Sequence, residues 1–216
     1  MAWAVAAAAQ TAPTLEEAAR YTGLLAAAQR GDVAKLDRLL AANADVNARD
    51  GHGRTPLHVA TFARQHAAIR RLAAAGVDLG ALENDRYDAV TIAAVAGDED
   101  TLRLLLSLGA SARLVTSRYD GTALIAAAHL GHAGVVRHLI AAGAPLDHVN
   151  NLHWTAAIEA VVLGDGGPRH QETLAALIAA GANLQLADRT GHTPLALARA
   201  RGYAAMVAML ERAGAR

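Results

Sequence analysis

Ten histidines are the side chains of this sequence best suited to chemistry. His129 lies close to His132 and His148 close to His153, so either pair could share a metal ion or pass a proton. No Asp or Glu accompanies a histidine pair at the helical spacing of a zinc hydrolase, and no Gly-x-Ser-x-Gly elbow presents a nucleophilic serine. Cysteine is absent, which removes thiolate catalysis, cysteine zinc sites and disulfides together. The glycine-rich run Gly164-Asp165-Gly166-Gly167-Pro168 resembles a phosphate loop, yet no Gly-Lys-Ser/Thr follows it and no strand precedes it. The sequence thus implies no enzyme, no bound metal and no cofactor.

Composition narrows the partners. Lys plus Arg number 20 and Asp plus Glu number 20, so no net field draws the chain onto nucleic acid. Hydrophobic residues make up 53%, much of it alanine, while aromatics are only 3%. Alanine is the best helix former and lets helices approach closely, so the balance predicts an all-α protein of short, tightly packed helices.

Residues 1–13 form an Ala-rich leader with Ala-x-Ala ahead of Gln10, and polar Thr14-Leu15-Glu16-Glu17 follows. The leader has the pattern of the end of a secretory signal peptide, without its basic start, or of a disordered tail. It implies a periplasmic or secreted product, with a cytoplasmic one as the alternative. No later run is apolar and long enough to span a bilayer.

The remaining chain, 14–216, is periodic. A threonine, or the Asp88 that replaces it, opens a unit at Thr22, Thr55, Asp88, Thr122, Thr155 and Thr193, at spacings of 33, 33, 34, 33 and 38 residues. Nine residues after each opening stands Gly31, Gly97, Gly131, Gly164 or Gly202, with Arg64 the exception. A second position carries Asn43, Gly76, Gly109, Gly143, Gly181 and Gly214. Glycine, and next best asparagine, adopts left-handed backbone angles, so both positions predict helix ends. Arg64 in that conformation costs on the order of 1 kcal/mol. Each unit therefore reads as helix, turn, helix, and neither helix can bury its apolar stripe without a neighbouring unit. The 38-residue spacing places an insertion at 164–172, expected to lengthen the turn between the fifth pair of helices. Thr14 and Glu17 form a capping-box pattern for a further turn of helix at the amino end.

Thr55-Pro56-Leu57-His58-Val59-Ala60, Gly131-His132, and Ala44-Asp45-Val46-Asn47-Ala48 leading into Asp50-Gly51-His52-Gly53 resemble the ankyrin repeat. The resemblance runs from about Thr22 to the carboxyl end and implies a solenoid of about six helix-turn-helix units with hairpin-like loops. It also implies that His58 and His132 hydrogen-bond backbone between repeats, and that another protein binds the concave face and the loop tips. A structural subunit of a larger assembly is the alternative, and a binder would be a monomer when free.

On that resemblance the first helices present Phe62, Val95, His129 with Leu130, and Val162 with Leu163 to the groove. Tyr87, Trp154 and His192 stand just before unit openings, and Arg118, Tyr119 and Arg189 lie at loop tips. Tyr, Trp and Arg are the side chains that most often dominate binding energy.

Overall fold

A computed structural model describes residues 10–216, so the leader residues 1–9 lie outside the described part. After a lone helix α1 (Leu15–Arg20) come six pairs: α2 (Gly23–Arg30) and α3 (Val33–Ala41), α4 (Pro56–Phe62) and α5 (His66–Ala74), α6 (Ala89–Val95) and α7 (Glu99–Ser107), α8 (Ala123–His129) and α9 (Ala133–Ala141), α10 (Ala156–Val162) and α11 (Pro168–Ala179), α12 (Pro194–Ala200) and α13 (Ala204–Arg212). Each first helix packs on the first helix of the next pair, and each second helix on the next second helix, giving a linear row of repeats.

The unit openings are helix N-caps. Oγ1 of Thr122 and of Thr155 accepts from the backbone N–H three residues on, each at 3.3 Å, and Asp88 does the same toward Thr91 at 2.8 Å. Five residues into every unit stands an alanine, Ala27, Ala60, Ala93, Ala127, Ala160 or Ala198, each buried between first helices. With no side chain beyond Cβ, alanine lets the helix axes approach closely. The second helices add paired apolar anchors, such as Ile69 with Leu72, Leu102 with Leu105, and Leu174 with Leu177, all fully buried. Each such side chain contributes roughly 1.5–3 kcal/mol on leaving water.

Left-handed residues fall at the expected helix ends, including Asn43 at φ 58 and Arg64 at φ 54. The fifth repeat departs. Gly164 is not left-handed there, and Gly166 at φ 71 makes the turn instead. Nor do all five inserted residues enter the turn. The loop from 163 to 167 is two residues longer than its counterpart at 130–132, and α11 has 12 residues where the other second helices have nine. Pro168 starts that helix early, since proline at the first turn loses no hydrogen bond and has its φ preset.

The glycines have a second duty. A Cβ built on Gly97 would lie 2.9–3.2 Å from the ring of His132, whose Nε2 hydrogen-bonds the Val95 carbonyl at 3.2 Å across the repeat junction. Gly76 has a similar backbone, φ 80, but open space around it. Gly76→Ala is expected to lower the melting temperature by about 2–4 °C for backbone strain alone. Gly97→Ala is expected to lower it by about 4–8 °C, because the junction hydrogen bond is also lost. Thermal melts followed by circular dichroism check this, and equal shifts would remove the imidazole from the account.

A one-residue-longer connection, the 34-residue spacing, separates the third and fourth units. It folds as the antiparallel pair β1 (Val115–Thr116) and β2 (Gly121–Thr122), closed through Ser117 and Asp120 in left-handed conformations. Arg118 and Tyr119 sit at its tip.

Candidate functional site

Three consecutive loops and the first helices beneath them enclose a cleft of about 230 Å³. Its walls are Tyr87, Tyr119 and Trp154, one aromatic per loop, and its floor is Val95, Ile125, Leu130, Leu152 and Leu163. Among the residues that line it, Glu159 is the sole acid and His129 the sole side chain able to carry a positive charge.

Each wall residue is held through its backbone. Nδ1 of His58 accepts from the Thr55 backbone N–H at 3.0 Å, so the ring proton resides on Nε2, which donates to the Tyr87 carbonyl at 3.1 Å. Burial outweighs that bond and pushes the His58 pKa from 6.5 down to about 4, keeping the ring neutral. Glu83 Oε1 accepts from the Tyr87 N–H at 3.0 Å. Tyr119 owes its place to the extra residue of the β1–β2 turn. That turn is docked by the Ser117 N–H on the Arg86 carbonyl at 2.8 Å and by Thr91 against Thr116 at 3.1 Å.

Asn150 organises the Trp154 loop. Its Oδ1 accepts from the N–H groups of Leu152 at 3.0 Å and Trp154 at 2.9 Å, while its Nδ2 donates to Glu159 Oε1 at 3.1 Å. Asp50 and Asp188 fill the same loop role in other repeats through their Oδ1 atoms. A second carboxylate beside Glu159 would repel it, whereas the amide satisfies both neighbours.

Glu159 itself breaks the repeat rule. The equivalent position carries Ala26, Val59, Ile92, Ala126 and Leu197 in the other units. The residue is only 4% exposed. Its Oε2 lies 3.3 Å from His129 Nδ1, outside hydrogen-bonding geometry, and has no hydrogen-bond donor.

Of the side chains expected to bind a partner, Tyr87, Val95, Tyr119, His129, Leu130, Trp154 and Leu163 line the cleft. Phe62 lines a neighbouring hollow instead, which shares Gln10 and Val95 with the cleft. Val162 is half-buried next to the cleft, not among its lining. The loop-tip residues tie loops together: Arg118 pairs with Asp85 at 2.9 Å, Arg189 donates to the Asn151 carbonyl at 3.0 Å, and exposed His192 stays within its own turn beside Thr190. Glu159, Asn150 and Ile125 were not foreseen. The inserted residues also work within the fold, Arg169 donating to the Leu130 carbonyl at 2.8 Å and His170 to that of His129 at 3.0 Å.

The remaining histidines are dispersed. His148 Nε2 donates to the Asp120 carbonyl at 2.6 Å and His66 meets Thr101 Oγ1 at 2.8 Å, each at its own repeat junction. Among the described residues no group of three or more His, Asp or Glu side chains could hold a metal ion, and no helix is long and apolar enough to cross a membrane.

The family model for ankyrin repeats (3 copies) matches residues 24–116 and 90–188. The ankyrin repeat protein YahD of Escherichia coli K12 is 34% identical over 192 residues, 88% of this chain and 95% of YahD. Among solved structures, an ankyrin repeat domain from Acinetobacter baumannii AYE is 44% identical, covers 89% of this chain and 98% of its own, and superposes with a TM-score of 0.84. The ankyrin domain of Bcl-3, of the IkappaB protein family, is 26% identical, with a TM-score of 0.81 over 91% of this chain and 88% of that one. Since two spans of the family model cover most of the sequence, and the helix pairs stack in the order such repeats require, the chain belongs to the ankyrin-repeat family.

Proposed function

We propose that the chain is a binding scaffold that holds a segment of another protein in the cleft between Tyr87, Tyr119 and Trp154. Ankyrin repeats are generally protein–protein interaction modules and generally non-catalytic. The observation that carries this reading is the convergence of the three aromatics from three successive loops onto one apolar floor. Tyr87 is itself part of the buried core, whereas Tyr119 and Trp154 are only partly buried, beyond the alanines and second-helix leucines that fill the stack. Rigid aromatics flanking a concave apolar surface are the usual anchors of an interface.

The test uses the full chain immobilised as bait. Leu130→Ser combined with Trp154→Ala should weaken retention of a specific partner at least roughly 30-fold, the loss typical of two anchor residues. Phe62→Ser, outside the cleft, should leave it unchanged. Both variants should melt within a few degrees of the wild type, since all three side chains are only partly buried. Equal retention by all three baits would sink the assignment of the cleft.

A further inference from the structure

We infer that the cleft receives a cationic side chain, lysine or arginine, presented on an otherwise apolar stretch of the partner protein. The inference rests on the proposed binding role of the cleft and specifies what that cleft selects.

A carboxylate taken out of water costs several kcal/mol unless charges and donors compensate it. Glu159 is placed at such a cost where five sister repeats use an apolar residue in the same helical position. The hydrogen bond from Asn150 requires an acceptor oxygen at this position but not a charged one. Compensation is incomplete: Asn150 supplies one donor to Oε1, and Oε2 has none. Among the described residues no lysine or arginine lines the cleft, and His129, whose Nδ1 lies 3.3 Å from Oε2 as an ion-pair partner when protonated, makes no hydrogen bond to it.

The walls point the same way. Tyr87, Tyr119 and Trp154 line the cleft with aromatic rings, and a cation over the face of such a ring gains electrostatic attraction that grows as water is excluded. The apolar floor of Ile125, Leu130 and Leu163 suits the methylene stem of a long cationic side chain and its apolar flanks. An anionic or purely apolar guest would leave the Glu159 charge repelled or still uncompensated, so the site discriminates against both.

The experiment uses the full-length chain and an array of nonapeptides of random sequence. Each peptide is made in versions whose central residue is Arg, Lys, citrulline, norleucine or Glu. On peptides that wild type retains, the Arg and Lys versions should exceed the citrulline and norleucine versions about tenfold, the scale of a desolvated cation–π contact with a charge-assisted partner. Glu159→Gln keeps the side-chain shape and an oxygen for Asn150, so its melting temperature should hold or rise while the Arg-to-citrulline ratio falls to about one. Should that variant fold poorly, Trp154→Leu serves instead, lowering the Arg ratio while norleucine peptides are still retained.

A wild-type ratio near one, an undiminished ratio in Glu159→Gln, or no retained peptide overturns the inference. Self-association of the wild type that Glu159→Gln abolishes would assign the cleft to a second copy of this chain and overturn it too. If Leu130→Ser/Trp154→Ala abolishes retention while Glu159→Gln keeps its Arg preference, the binding cleft stands and only the charge selectivity falls. If neither variant changes anything, the cleft assignment itself falls.

Discussion

Replacing Arg54 with methionine is expected to lower the unfolding free energy by about 3–5 kcal/mol, the penalty for stranding buried charges. The guanidinium is 1% exposed and holds three elements together. Its Nε donates to Asp50 Oδ2 at 2.6 Å, its Nη2 pairs with Glu17 of α1 at 3.2 Å, and its Nη1 donates to the Thr11 carbonyl at 2.9 Å. Tyr21 reaches the same Asp50 oxygen at 2.6 Å. Burial alone would raise the Asp50 carboxyl, but the hydrogen bonds from Tyr21 and Arg54 hold it below its ordinary value. The hydrogen bond from the Thr14 backbone, then Arg54, draws Glu17 down to about 2.

Methionine fills the space but leaves Asp50 charged without its guanidinium partner, holding only the Tyr21 hydroxyl and backbone N–H donors. Urea titration measures the loss. Adding Asp50→Asn to Arg54→Met should recover more than half of it, because the stranded charge then disappears. A second readout is local: α1 contributes no buried residue, so its attachment depends on this network, and trypsin cleavage after Arg20 should accelerate in Arg54→Met. A stability within about 1 kcal/mol of wild type would show that the network contributes no more than an exposed pair does.

Arg54 also shows where sequence reading stops. It stands just before a unit opening, in register with Tyr87 and Trp154, and spacing cannot say that one such residue is buried among carboxylates while the other two face a cleft. The helix pairs were legible because a fixed period with glycines at helix ends leaves few other ways to bury an apolar stripe. Side-chain direction within the groove was less so. Of positions seven and eight of the first helices, Val95, His129, Leu130 and Leu163 line the cleft, whereas Phe62 lines the neighbouring hollow and Val162 neither.

Glu159 was missed although its signal is plain once the units are aligned by position, one acid among Ala, Val, Ile and Leu. The insertion was located correctly but its division between turn and helix was not, because Pro168 could end a loop or begin a helix with equal ease. Tyr119 could be placed at a loop tip. Its lean into the cleft follows from one extra residue and the left-handed Ser117 and Asp120, and neither type announces that conformation.

Acidification from pH 7 to pH 4 is expected to remove about 3 kcal/mol of stability through His58 alone. The imidazole takes up a proton near 6.5 in the unfolded chain and only near 4 when buried between Thr55 and the Tyr87 carbonyl. Between those values the unfolded state binds more protons, so stability falls as pH drops; the contribution is whole above 6.5 and gone below 4. His132, lowered first by burial, adds in the same direction, and Glu17 and Asp50 add below the ordinary carboxylate range. Asp88 opposes them, since burial raises its carboxyl and protonation there favours the folded chain. The His58 contribution is separable by its window, because carboxylates with lowered values titrate mostly below it.

Urea midpoints at half-unit pH steps should slope steeply from 6.5 to 4 in wild type, and His58→Gln should start less stable at pH 7 yet slope much less. His58 holds the carbonyl of Tyr87, so a partner that needs the aromatic wall should dissociate along the same curve before the chain unfolds globally. Parallel slopes for the two proteins would place the acid sensitivity elsewhere.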